Sequence, residues 1–265
     1  MDRTVLKRLF SVRFAGTTSK NLLHLDWIEV LQTPGCALCC MAQRKGQRYA
    51  EALLNEAVTD VDQRDIWRAA HGLCHWHAWM ATEVPHSAGS LAILYADVLR
   101  HDLERLTALT AAAPTTRRWR WRHSLAKRLQ NWLRSWQQQR LCPVCHLWCE
   151  QERLYLQVLL DDWQAPELAQ AFAASCGLCW WHTLRLVEQG GQHTHLQAVL
   201  AAQQVHMQRV QDELQEFIRK LDYRFGREPY GREADAWRRV VALYVGMRGP
   251  QGSEGPLSFR SEGKA

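Results

Sequence analysis

The sequence predicts an all-α protein in which two pseudo-repeated helical metal-binding units pack together and a further helix follows at the C-terminal end. Apolar residues recur at three- and four-residue intervals, and no stretch alternates apolar and polar residues as a half-buried strand would. The Gly-Leu-Cys-x-x-His motif at residues 72–77 recurs at residues 177–182, and a Cys-x-x-Cys pair precedes each copy. The duplication of both motifs indicates a duplicated metal-binding fold.

The composition is compatible with this prediction. With 265 residues and 47% hydrophobic residues, the chain can bury a core without relying on a metal to rescue a very small fold. Its nine cysteines are an odd number, and residues 1–20 show no secretory signal, which favours a reducing compartment and metal-ligating thiols over disulfides. No run approaches the roughly 20 apolar residues of a membrane span. We therefore expect a cytoplasmic protein without a transmembrane segment.

The first part of the chain contains a basic extension and the first repeat. Residues 1–25 form the extension, and the repeat covers residues 26–113. Within it, Thr33-Pro34-Gly35 breaks the chain before the first cysteine pair, and a helix is predicted from that pair through Leu54. A second helix is predicted over residues 65–72. The third, over residues 90–109, carries an apolar stripe at helical spacing.

The second repeat covers residues 141–222 and follows the same plan. Tyr155 stands 106 positions after Tyr49, and His182 stands 105 after His77, so one residue is lost between the halves. The last helix of this repeat keeps a near-heptad apolar spacing in which only Gln203 is out of character. Glycine and proline in the following segment predict a turn over residues 223–231 and a helix over 233–245, within a C-terminal region of 223–248. Residues 249–265 are predicted as a disordered tail.

Four protein ligands are available in each repeat. A structural zinc site is tetrahedral, and three thiolates with one imidazole are a common set. Ligands three residues apart project from one face of a helix or turn and can grip one ion. We therefore predict two Zn²⁺ ions, each bound within its own repeat. The predicted ligands are Cys36, Cys39, Cys74 and His77 in the first repeat, and Cys142, Cys145, Cys179 and His182 in the second.

Other chemistries remain open for the same residues. Iron–sulfur clusters also use mainly thiolate ligands, so an iron–sulfur or redox protein is the alternative. Residues 142–146 match the haem c attachment pattern Cys-x-x-Cys-His, but the first repeat lacks the histidine. A metalloenzyme would need an open coordination position and a general base, so four ligands per site favour a non-enzymatic protein. Further side chains could supplement the ligands, namely Cys40, His71, His75, His146, Cys149 and Cys176.

A basic, tryptophan-rich segment separates the repeats. Residues 114–140 contain eight basic residues and no acidic one. A helix here would have one aromatic and one cationic face, which suits a protein partner, anionic membrane headgroups or nucleic acid. Alternatively, the aromatic face covers the protein's own core. The candidate partner-binding residues are Arg117, Arg118, Trp119, Arg120, Trp121, Arg122, Lys127, Arg128, Trp132, Arg134 and Trp136.

The motifs resemble those of an uncharacterised bacterial family of tandem CPxC…GLCxxH all-helical proteins, a domain of unknown function. The resemblance spans roughly residues 26–247 and implies a helical fold without a known activity. The first cysteine pair, Cys36-Ala37-Leu38-Cys39, lacks the family's proline. The matching features are Cys142-Pro143-Val144-Cys145, both Gly-Leu-Cys-x-x-His motifs, residues 91–101, Asp222-Tyr223-Arg224-Phe225, Glu228-Pro229, Gly231, Glu233, Asp235 and Trp237.

Overall fold

The computed structural model describes residues 20–110, 127, 129–131, 134 and 142–247. All regular structure in these residues is helical, which confirms the predicted all-α class. The principal helices are α1 (Lys20–Leu31), α2 (Ala37–Glu56), α3 (Val61–Ala70), α4 (His75–Thr82), α5 (Ala88–Thr110), α6 (Pro143–Asp161), α7 (Pro166–Ala174), α8 (Trp180–Gly190), α9 (Leu196–Lys220) and α10 (Ala236–Val245), with a 3₁₀ turn at Arg232–Asp235 before α10.

The order of helix lengths agrees with a duplication. Helices α2–α5 have 20, 10, 8 and 23 residues, and α6–α9 have 19, 9, 11 and 25. In both series, a long helix follows the cysteine pair and a short helix follows the Gly-Leu-Cys motif. No separate helix is predicted from the sequence for α4 or α8, because short helices carry too few residues for a clear period.

Local residues explain where helices α3, α6 and α7 begin. The side chain of Asp60 accepts a hydrogen bond from the backbone N–H of Gln63 at 3.1 Å and so caps the start of α3. This helix therefore begins at Val61, earlier than the predicted start at residue 65. Pro143 and Pro166 occupy the first positions of α6 and α7, where the backbone N–H that proline lacks would have no hydrogen-bond partner within the helix.

The chain divides into two compact units that do not coincide with the sequence repeats. In their described residues, unit 1 contains 46–110, 127, 129–131, 134 and 142–147, and unit 2 contains 20–45 and 148–247. The boundaries cut through two helices: the first turns of α2 belong to unit 2, and the first turns of α6 belong to unit 1. Each long helix thus leaves its N-terminal turns in the unit formed mainly by the other repeat.

Unit 1 has its own hydrophobic core. Buried side chains of α2, α3 and α5 meet there, including Leu53, Trp67 and Leu94. The rings of Trp67 and Tyr95 meet edge to face at 5.4 Å. Cys142, Val144 and Cys145, at the start of α6, belong to the same core.

Unit 2 is built around helices α1, α6, α7 and α9 and the start of α2. Trp27 and Tyr155 are fully buried, and the indole N–H of Trp27 donates a hydrogen bond to the backbone carbonyl of Tyr155 at 2.9 Å. The hydroxyl of Tyr155 donates to the carboxylate of Asp26. Phe172 and Leu159 complete the centre. Among the described residues, none of the helices in either unit is long and apolar enough to cross a bilayer.

Candidate metal centres

The cysteines of both motifs lie at helix N-termini. Cys74 and Cys179 are the N-cap residues of α4 and α8, with extended backbone conformations, and neither side chain caps its own helix. Cys36 and Cys142 directly precede α2 and α6. The positive end of a helix dipole favours a thiolate over a thiol, so these positions suit metal-ligating cysteines.

A glycine two residues before each N-cap cysteine is required by the local geometry. Gly72 has φ +84° and Gly177 has φ +69°, values that L side chains rarely adopt. A β-carbon at Gly72 would lie 2.8 Å from the ring of Tyr95, and one at Gly177 would lie 2.6 Å from Oε1 of Gln203. The glycine in the Gly-Leu-Cys motif thus lets the cysteine loop approach α5 or α9 closely.

The structure brings the eight predicted residues into two groups, but with the pairs exchanged between the repeats. One group, the Cys74 cluster, contains Cys74, His77, Cys142 and Cys145. The other, the Cys179 cluster, contains Cys36, Cys39, Cys179 and His182. The prediction that each repeat closes its own site is therefore wrong. Each long helix carries its cysteine pair into the unit that holds the other repeat's Gly-Leu-Cys-x-x-His motif, and each cluster lies within a single unit.

The donor atoms have the spacing of a tetrahedral metal site. The Sγ atoms of Cys74 and Cys145 are 3.8 Å apart, and those of Cys39 and Cys179 are 3.7 Å apart. In both clusters, the three sulfurs lie 3.2 to 3.5 Å from Nδ1 of the histidine. With Zn–S bonds of about 2.3 Å, tetrahedral geometry places two sulfurs about 3.8 Å apart. A disulfide would need about 2.05 Å, so the paired sulfurs are thiols.

The comparison with known families agrees with the motifs. A model described as a family of unknown function (DUF6062) matches residues 25–249. The chain belongs to the DUF6062 family. No curated protein and no solved structure matches the chain. The family match therefore confirms the resemblance stated from the motifs and adds no activity to it.

The donor residues of this DUF6062 chain are mostly buried. Seven of the eight donor residues are buried, and only Cys74 is partly exposed. The donor atoms of each cluster all lie within 4.8 Å of one another, so each cluster could hold one metal ion. Three sulfurs and an imidazole nitrogen are the soft and borderline donors that zinc and other late transition metals prefer.

One cysteine in each cluster loses its proton more readily than the others when no metal is bound. Hydrogen bonds from Cys142 and Cys145 lower the pKa of the Cys74 thiol well below its usual range. In the other cluster, hydrogen bonds from Cys36 and Cys39 lower the pKa of Cys179 to about 4. One thiolate per cluster is therefore present at neutral pH, ready to accept a cation.

The neighbours of these thiolates hold their protons more tightly. Hydrogen bonds to Cys145 and Cys74, followed by burial, raise the pKa of Cys142, and those to Cys179 and Cys36 do the same for Cys39. Burial alone would lower the pKa of His77, but its hydrogen bonds to Cys142 and Cys74 raise it to about 9. A metal ion has to displace these protons, so metal binding is coupled to proton release.

The supplementary candidates lie outside the two clusters. Within the described residues, neither group includes Cys40, His71, His75, His146, Cys149 or Cys176. The imidazole of His71 instead pairs with the carboxylate of Asp102 at 2.8 Å, and Sγ of Cys40 lies 3.3 Å from Sδ of Met247. Cys149 and Cys176 are exposed.

Gln203, the polar residue in the apolar stripe of α9, supports the backbone beside the Cys179 cluster. Its side-chain amide donates a hydrogen bond to the carbonyl of Leu178 and accepts one from the N–H of Leu178, both at 2.8 Å. Gln203 is buried, and it holds the backbone next to Cys179. A polar residue inside an otherwise apolar helical stripe was the signal, since a buried amide needs partners.

Most of the predicted partner-binding segment lies outside the described residues. Of its eleven candidate residues, the structure describes Lys127 and Arg134, which are helical and exposed. Leu129, on the predicted apolar face, is 43% exposed. The prediction of a basic partner-binding surface stays a prediction.

Proposed function

We propose that this protein is a non-enzymatic helical scaffold whose two clusters each hold a structural Zn²⁺ ion. The spacing of the donor atoms carries the proposal: three sulfurs and one Nδ1 atom meet in each cluster at the distances that a tetrahedral zinc site requires. In each cluster, the ion would join the N-termini of two helices that are far apart in sequence. Four protein ligands supply a closed coordination shell, which is typical of structural rather than catalytic zinc.

Iron–sulfur chemistry is the second candidate, because thiolates are its usual ligands. The donor spacing favours a single ion, since a multi-iron cluster lies between its ligands and separates them further. Elemental analysis of protein purified without oxygen tests the proposal. We expect two zinc ions per chain and a colourless solution. A brown protein that contains iron and sulfide would refute the zinc scaffold and support the alternative, and a metal-free protein would refute both.

We also propose that residues 114–140 provide the scaffold's binding surface for a partner, either a protein or an anionic surface. The support is the density of positive charge, with eight basic residues and no acidic one, interleaved with tryptophans. The structure has nine free cysteines, which suits a reducing compartment, so we place the protein in the cytoplasm, where the segment could bring it to anionic headgroups or nucleic acid.

Deletion of residues 115–138 tests the binding surface. We expect the intact chain to co-sediment with anionic vesicles or to shift nucleic acid in a salt-dependent manner, and the deletion to abolish that binding. A matched variant with Trp119→Ala and Trp121→Ala keeps the charge and separates aromatic from electrostatic contributions. If binding to vesicles, nucleic acid and proteins is the same with and without the segment, the surface lies elsewhere.

A further inference from the structure

The two clusters differ in what faces the second nitrogen of the histidine. In the Cys179 cluster, Nε2 of His182 lies 3.6 Å from Oε1 of Glu152. Glu152 is buried, and its Oε1 atom has no hydrogen-bond partner among the residues that the structure describes. A buried carboxylate oxygen without a partner is costly, so its place beside a ligating imidazole needs an explanation. Arg185 lies 3.6 Å from the other oxygen of Glu152 and partly balances its charge.

The Cys74 cluster has a glycine at the corresponding position. Gly46 stands 106 positions before Glu152, the same offset that relates Tyr49 to Tyr155. A β-carbon at Gly46 would lie 3.4 Å from Nε2 of His77 and 3.3 Å from Cγ1 of Val144. Position 46 thus lies beside Nε2 of His77, and as a glycine it offers no carboxylate in the place that Glu152 has in the other unit.

The two clusters also differ in the exposure of their donor residues to solvent, and the Cys74 cluster is the more exposed. All four donor residues of the Cys179 cluster are buried, whereas Cys74 is partly exposed and the other three residues of its cluster are buried. A competing ligand must reach a donor or the ion to displace a metal, so the partly exposed sulfur provides an entry point. The Cys74 cluster thus lacks the carboxylate and is also the more accessible of the two.

We propose that the clusters are not equivalent: Glu152 positions His182 and makes the Cys179 cluster the retained metal site, while the Cys74 cluster exchanges its metal with chelating or thiol ligands. This inference rests on the proposed function, since both clusters must first bind metal. With Nδ1 committed to the metal, the proton of His182 resides on Nε2, and Glu152, now 3.6 Å away, would move closer to accept a hydrogen bond from it. Carboxylate partners of this kind fix the ring of a ligating histidine and strengthen its bond to the metal.

Metal release to an excess of a colorimetric chelator tests the proposal on the full chain. We expect two kinetic phases of equal amplitude, one ion each. Cys74→Ala should remove the fast phase and leave the slow one. Glu152→Gln keeps the shape of the side chain and should accelerate the slow phase about 10- to 100-fold without changing the fast one. Glu150→Gln, two residues away and exposed, is the matched control and should leave both phases unchanged.

A second readout distinguishes positioning from general destabilisation. The ¹⁵N chemical shifts of the His182 ring should report a proton on Nε2 in the metal-loaded wild type and a weaker hydrogen bond in Glu152→Gln. If both metals leave the wild type at one rate, or if Glu152→Gln behaves like Glu150→Gln, the inference is refuted while the proposed function stands. If Glu152→Gln does not fold, the comparison of wild type with Cys74→Ala still shows which cluster releases its metal first. A chain that binds no metal would refute the proposed function itself.

Discussion

Removing both metal ions with a strong chelator is expected to lower the melting temperature of the protein by more than about 10 °C. Each ion would link two helix N-termini, and its binding free energy becomes folding free energy because the unfolded chain has no preformed site. Loss of about 4 kcal/mol per unit is enough for this shift in units of this size. Because both hydrophobic cores remain, most of the helical signal in far-ultraviolet circular dichroism should persist at low temperature.

The variant Cys36→Ala with Cys74→Ala is the control for this experiment, since it removes one ligand from each cluster. Its melting temperature should match that of the chelated wild type and should not respond to chelator. Readdition of Zn²⁺ should restore the wild type only. Complete metal removal, verified by elemental analysis, with an unchanged melting temperature would contradict a structural role for the ions.

Lowering the pH should also release the metal ions. Protons compete with the metal for each thiolate, so metal affinity falls as the pH falls. The thiols of Cys39 and Cys142, whose pKa values are raised, recover their protons first. In the Cys179 cluster, release should be complete below about pH 4, where Cys179, with a pKa of about 4, also takes up a proton. Metal content after desalting at stepped pH values measures this.

The fold class and the candidate donors could be predicted because their signals are local. Two copies of each motif place the same residue types at matching intervals, and the apolar stripes have helical periods. The structure accordingly shows long helices after both cysteine pairs and places the eight residues in two clusters of four. Side chains three residues apart share a helix face whichever partner they meet, so this part of the prediction did not depend on the tertiary fold.

The pairing could not be predicted from the same signals. In a duplicated chain, the pair at Cys36 finds the same Cys-x-x-His set in either repeat, so spacing does not discriminate between them. Helix length does. A helix of 20 residues is roughly 30 Å long, and in α2 the residues around Leu53 pack with their own repeat. The start of α2 belongs to unit 2, together with the Cys179 motif.

The side chains that support the clusters could not be predicted from the sequence either. Glu152 reads as one of several acidic residues on a solvated helix face, and only the fold shows that it is buried beside His182. Gln203 stood out as a polar residue in an apolar stripe, but its partner, the backbone of Leu178, is 25 residues away. Such contacts depend on how helices pack, which the periodicity of a single helix does not encode.

The exchange of cysteine pairs between the repeats is the central claim, and metal content in paired variants tests it most directly. Cys36→Ala with Cys179→Ala disrupts one cluster, so this variant should retain one metal ion per chain. Cys36→Ala with Cys74→Ala disrupts both clusters and should retain none. Elemental analysis after desalting into chelator-free buffer gives the count. The opposite result, one ion in the second variant and none in the first, would show that each repeat closes its own site and would contradict the exchanged pairing.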